Sequence, residues 1–147
     1  MKIGLASDHQ GFSIKESLKK HFKKEDYQVV DFGTESEEAT DYPQFAFAAS
    51  EKVASLELDF AILICGTGIG MSMASNKVKG VRCAKVDNLR EAVLAKTHNN
   101  ANVLAFSSEQ GFSKIKKFLD VFMASTYSYD DRHNRRLEAI VKYENEH

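Results

Sequence analysis

The sequence predicts an α/β fold: a five-stranded parallel sheet covered by helices on both faces. Three observations carry this reading. Short apolar runs of strand length alternate with longer amphipathic stretches along the whole chain. One run, Phe60 to Ile64, is continuously apolar, as a strand buried on both faces must be. The 147 residues suffice for one domain with a sizeable core. They contain a single proline, Pro43, and no linker-like stretch, so residues 1–147 read as one domain.

The elements follow in order. Ile3 to Ala6 is the first strand and ends in Ser7-Asp8-His9-Gln10-Gly11. A helix comes next, with Ile14, Leu18 and Phe22 on one face and the run Lys15 to Lys24 as a solvated face. Tyr27 to Phe32 is the second strand, stopped by Gly33, and the polar stretch Thr34 to Thr40 is a loop. Pro43 suits the first turn of a second helix, where its missing N–H costs nothing; Phe45, Ala46, Ala49 and Val53 point inward. The third strand, Phe60 to Ile64, runs into Cys65-Gly66-Thr67-Gly68-Ile69-Gly70 and a short helix, Met71 to Asn76. A fourth strand spans Val81 to Val86, a helix Asn88 to Thr97, and a fifth strand Asn102 to Phe106. Phe112, Ile115, Phe118, Leu119 and Phe122 mark a long helix. The last helix, residues 131–143, carries Leu137, Ile140 and Val141 on its apolar face.

Composition excludes several classes. At 43% hydrophobic and 28% charged residues, the chain is neither disordered nor fibrous. A net charge of −1 supplies no long-range positive field, so neither nucleic acid nor an acidic membrane is an expected partner. Cys65 and Cys83 make no disulfide framework, and no run resembles a signal h-region or a membrane span of about 20 apolar residues. A cytoplasmic protein is expected.

In parallel α/β sheets, ligands bind beyond the carboxyl ends of the strands. Asp8 and His9 follow strand one, and Cys65 to Gly70 follow strand three. His98 and Asn99 precede strand five, which is the opposite edge unless the following loop climbs over the sheet. Cys65 opens a glycine turn into a helix, where the dipole favours a thiolate; the alternative is a small buried hydrophobe. Cys83 reads as core. The backbone amides of Gly66 to Gly70 form a nest for a phosphate or an oxyanion. No Lys-Ser/Thr follows, so the turn is not a P-loop. The third glycine comes one residue early for a dinucleotide fingerprint, although Asp87 stands about where a ribose-binding acid would. A nucleotide-binding module is therefore the non-enzymatic rival. Arg132 and Arg136, spaced i, i+4, form either a phosphate clamp or a solvated face beside Asp130, Asp131 and Glu138. His133, on the Leu137 side, reads as structural or interfacial.

Taken together, these segments resemble the type B ribose-5-phosphate isomerases and the related galactose-6-phosphate isomerase subunits. The resemblance lies in Ser7-Asp8-His9-Gln10-Gly11, Asp41-Tyr42-Pro43, Ile64 to Ser72, Asn76-Lys77, His98 to Leu104 and Arg132 to Arg136, collinear over nearly the whole chain. It implies a Rossmann-like three-layer α/β/α sandwich and a homodimer or homotetramer. Active sites would be shared between subunits, with the C-terminal helix at the interface. It also implies interconversion of an aldose phosphate and a ketose phosphate through a cis-enediolate, without metal or cofactor. Under it, Cys65 is the base, His98 the ring-opening acid assisted by Asp8, and Thr67 a hydroxyl proton relay. Gly66, Gly68, Ile69 and Gly70 contribute the anion hole; Tyr42 and Asn99 hold sugar hydroxyls; His9, Arg132 and Arg136 bind phosphate. Two departures from the family's usual pattern stand out: Glu109, or its neighbour if one residue is deleted, stands where an arginine is usual, and Asn100 replaces the usual aspartate. Ribose 5-phosphate is the expected substrate, with galactose 6-phosphate and allose 6-phosphate as alternatives.

Overall fold

The computed structural model describes residues 1–147. Its strands are β1 (Lys2–Ser7), β2 (Gln28–Asp31), β3 (Phe60–Cys65), β4 (Cys83–Lys85) and β5 (Val103–Ser107). Its helices are α1 (Phe12–Lys24), α2 (Pro43–Ala54), α3 (Ile69–Ser75), α4 (Leu89–Thr97), α5 (Gly111–Ala124) and α6 (Asp131–Glu146). All strand pairs are parallel, in the order β2-β1-β3-β5-β4. The chain winds outward from β1 to β2 and then returns to place β3 on the other side of β1. The crevice at this reversal, beyond the ends of β1 and β3, is where α/β sheets bind ligands.

The two faces of the sheet are packed differently. Ile3, Leu5, Ile62, Ile64, Leu104 and Phe106 point to one side, against Leu18 and Phe22 of α1, Ala92 of α4, and Ile115, Phe118 and Leu119 of α5. The alternating positions Ala6, Ala61, Leu63, Cys65 and Ala105 point to the other, against Ala46 and Ala49 of α2 and Met71 and Ala74 of α3. Strand period two thus separates a face of large side chains from a face of small ones. No helix is long and apolar enough to cross a membrane.

Three local expectations are corrected. The fourth strand contracts from Val81–Val86 to Cys83–Lys85, because Val81 N–H is spent on Val78 C=O and Arg82 N–H on the Asn102 side chain. The helix after the glycines starts at Ile69 rather than Met71. Lys15 does not belong to a solvated face: it is fully buried, and its Nζ lies 2.8 Å from Asp31 and 2.9 Å from Glu16.

Candidate active site

The carboxyl edge of the sheet collects the first group of expected residues. Asp8 leaves β1 with 6% of its surface exposed, and its Oδ1 accepts N–H groups from Gln10 at 2.9 Å and Gly11 at 3.2 Å. This fastens the turn that carries His9. Thr40 N–H donates to His9 Nδ1 at 3.2 Å, which leaves Nε2 as the nitrogen able to donate to a ligand. Asp8 N–H donates to Ile64 C=O, which ties the end of β1 to that of β3, one residue from Cys65.

Cys65 is buried at the last position of β3. Gly68 N–H donates to its Sγ at 3.2 Å, a bond that stabilises negative charge on sulfur. Gly68 takes φ +78°, and a Cβ there would lie 2.9 Å from the Phe106 carbonyl carbon, so the turn requires glycine. The amides of Gly66 and Thr67 donate to nothing within the chain, whereas Ile69 N–H bonds Thr67 Oγ1 at 3.2 Å. The Tyr42 ring lies directly over Gly70, where only a missing side chain leaves room for it. Cys65, its glycine turn, Asp8, His9 and Tyr42 therefore share one edge.

His98, Asn99, Arg132 and Arg136 lie at the opposite edge. β5 runs parallel to β3, with Val103 opposite Ala61, so the residues before Val103 sit at the amino edge. The loop does not climb over the sheet: Ala101 N–H returns to Ala95 C=O, and Asn102 N–H to Arg82 C=O. From Ala61 to Cys65 the strand covers about 13 Å, which no side-chain contact within one chain bridges. α6 runs along this amino edge, from His133 beside His98 to Glu144, which accepts from Gly80 N–H. Arg132 and Arg136 are both exposed on it.

The nucleotide reading does not survive the topology. β5 lies between β3 and β4, so Asp87 is two strands, about 10 Å, from the glycine turn. Its carboxylate is held by Lys85 at 2.6 Å and by Gln110. Cys83 is half-buried on β4; burial pushes its thiol up to about 12, against a hydrogen bond with Ser75.

A family model described as Ribose/Galactose Isomerase matches residues 3–140. The chain belongs to that family. Among its relatives, the probable ribose-5-phosphate isomerase B of Mycoplasma genitalium is 44% identical, across 98% of this chain and 96% of the relative. The solved structure of Clostridium thermocellum ribose-5-phosphate isomerase B superimposes with a TM-score of 0.95 at 39% identity, covering 99% of each chain. That of the Mycoplasma genitalium isomerase B with bound ribulose-5-phosphate gives 0.94 at 42% identity, covering 99% of this chain and 97% of that one.

Within this isomerase, several supporting contacts carry no signal in the sequence. Ser107 donates its hydroxyl to Gly66 C=O at 2.7 Å and closes the glycine turn from β5. The Gln10 side chain lies against Gly66, and Thr40 holds His9 from 31 positions away. Only strand order and loop return bring them in. Glu109 is exposed, with its N–H on Ser107 Oγ, in the turn that follows β5 at the same edge as Cys65.

Proposed function

We propose that this isomerase interconverts ribose 5-phosphate and ribulose 5-phosphate through a cis-enediolate, with each site built from two copies of the chain. The observation that carries the reading is Cys65 at the end of β3, with Gly68 N–H on its sulfur and two unused amides in the same turn. A relative of 42% identity is solved with ribulose-5-phosphate bound, which supports the substrate class.

The chemistry follows from these groups. His98 protonates the ring oxygen as its bond to C1 breaks, and Asp8 assists by taking the proton of the C1 hydroxyl, which leaves the open-chain aldehyde. The Cys65 thiolate then removes the proton from C2 of the aldehyde. The electron pair moves through C1 onto the carbonyl oxygen, and the free amides of Gly66 and Thr67 receive the developing charge. One such donor is worth about 3–4 kcal/mol. Thr67 passes a proton between O2 and O1, and Cys65 returns its proton to C1. No electron leaves the sugar, so no redox cofactor is called for. His9, Arg132 and Arg136 hold the phosphate, and Tyr42 and Asn99 the hydroxyls. Remote phosphate binding then helps to orient the reacting carbons.

Two observations support a shared site. The base and the ring-opening acid sit on opposite edges of one chain. Ile140, Val141 and Tyr143 of α6 are 47%, 46% and 65% exposed, an apolar stripe fit for a second copy.

The test is turnover of ribose 5-phosphate by the purified chain, beside a panel of hexose 6-phosphates. Cys65→Ala should lower kcat by at least about 10³-fold with unchanged thermal melting, the behaviour of a group used only in the transition state. Unchanged turnover in that variant rejects Cys65 as the base.

A further inference from the structure

We infer that His133 is a positioning residue for His98: its imidazole is the surface on which the His98 ring is held. This rests on the reading of His98 as the ring-opening acid. His98 follows the last residue of α4 and is half-buried, and neither of its ring nitrogens has a hydrogen-bond partner within its own chain. What orients it is ring packing. The centroids of His98 and His133 are 4.2 Å apart and their planes differ by 31°.

His133 is built for that role. It is 4% exposed, on a helix turn where Asp131, Arg132, Arg135 and Arg136 are all exposed. Its Nδ1 lies 2.9 Å from Ser128 Oγ. Ser128 N–H in turn donates to the carbonyl of Thr97, the residue before His98, at 3.0 Å. One short loop thus ties both rings to a common frame. Asp130 stands 3.9 Å from Nδ1, but burial first, and then the charges of His98 and Arg132, hold His133 below the ordinary imidazole range. The two rings thus differ in their surroundings: His133 is buried with its Nδ1 against Ser128, while His98 is half-buried and both its nitrogens are free of partners within the chain. A general acid must lie within hydrogen-bond reach of the atom it protonates. Tilting His98 off its support therefore slows ring opening and leaves the carbon-acid step alone.

That separation is measurable. Ribulose 5-phosphate has no furanose to open, because its C5 oxygen carries the phosphate. Exchange of its C1 hydrogen with solvent deuterium breaks one C–H bond and forms one C–D bond, using Cys65 without ring opening. His133→Asn keeps a polar partner for Ser128 and removes the ring; His133→Phe keeps a ring and removes the polar partner. After thermal melting confirms folding, we expect His133→Asn to lose about 10- to 100-fold in isomerisation of ribose 5-phosphate. Its C1 exchange should stay within about threefold of wild type, and His133→Phe should isomerise within about the same factor.

Isomerisation unchanged in His133→Asn, equal losses in isomerisation and exchange, or a His133→Phe as poor as His133→Asn each overturn the inference. If His133→Asn does not fold, His133→Phe decides alone: a loss beyond about tenfold overturns it, and near-normal turnover supports it. A wild-type chain with neither isomerisation nor exchange overturns the parent function, and this inference with it.

Discussion

Gly68 shows how much chemistry a single backbone angle carries. Its φ of +78° turns the N–H toward Cys65 Sγ, and an added methyl would meet the backbone of Phe106 and Ser107 at 2.9 and 3.1 Å. Gly68→Ala should cost about 1–3 kcal/mol from backbone strain, with further loss from the clash, and should displace the donor on the sulfur. Gly80 has a similar φ of +89°, but an added Cβ there meets nothing closer than 3.7 Å. We expect Gly80→Ala to lower the melting temperature while leaving kcat near wild type, and Gly68→Ala to lower both; melting curves and steady-state rates check this. At this scale the sequence was informative where chemistry is local. A cysteine opening a glycine turn is legible because the residues that shape it are its neighbours. Lys15 was not legible, because helical spacing cannot show that a distant carboxylate waits over it.

At the scale of elements, that carboxylate fastens α1 to β2. Lys15 and Lys19 both bond Asp31, whose Oδ1 also accepts Gly33 N–H at 2.9 Å. Burial pushes Asp31 up, but the hydrogen bonds from Lys15 and Lys19 outweigh it and hold the group below its ordinary 3.8. A depressed carboxylate contributes stability above its unfolded value and loses it as pH falls through the folded value. The Asp31 contribution is therefore complete at neutral pH and lost below 3.8. Lys15→Met should destabilise the fold by about 1–2 kcal/mol at pH 7, the worth of hydrogen bonds to a charged group, because Asp31 is partly exposed and keeps Lys19 and Gly33 N–H. The deficit should narrow toward pH 3, and denaturant melts at the two pH values measure it. Strands and helices were readable at this scale wherever burial is two-sided or the apolar stripe is long, as in β3 and α5. The fourth strand was overread at its start, because Val78 and Asn102 take the N–H groups that Val81 and Arg82 would have offered a neighbour.

For the whole molecule, the decisive feature is that the proposed site is divided between two edges of the sheet. A shared site makes a sharp forecast for mixtures. Cys65→Ala and His98→Asn should each be nearly inactive in isolation, but a dimer of one of each would contain one intact site. Random pairing of equal amounts should recover about one quarter of wild-type activity, because half the dimers are mixed and each has one working site of two. Recovery is measured after unfolding and refolding the variants together. No recovery, with mixed dimers demonstrated, excludes the shared site.

The sequence by itself determined the class of fold, the strand that ends in Cys65 and the glycine turn, because hydrophobic period and local turn geometry are properties of neighbouring residues. Tertiary structure alone decided strand order, and with it the separation of Asp87 from the glycine turn. It also placed His98 opposite Cys65, stacked His133 on His98 and buried Lys15. Those outcomes depend on which distant segments the chain brings side by side, and no local pattern encodes that.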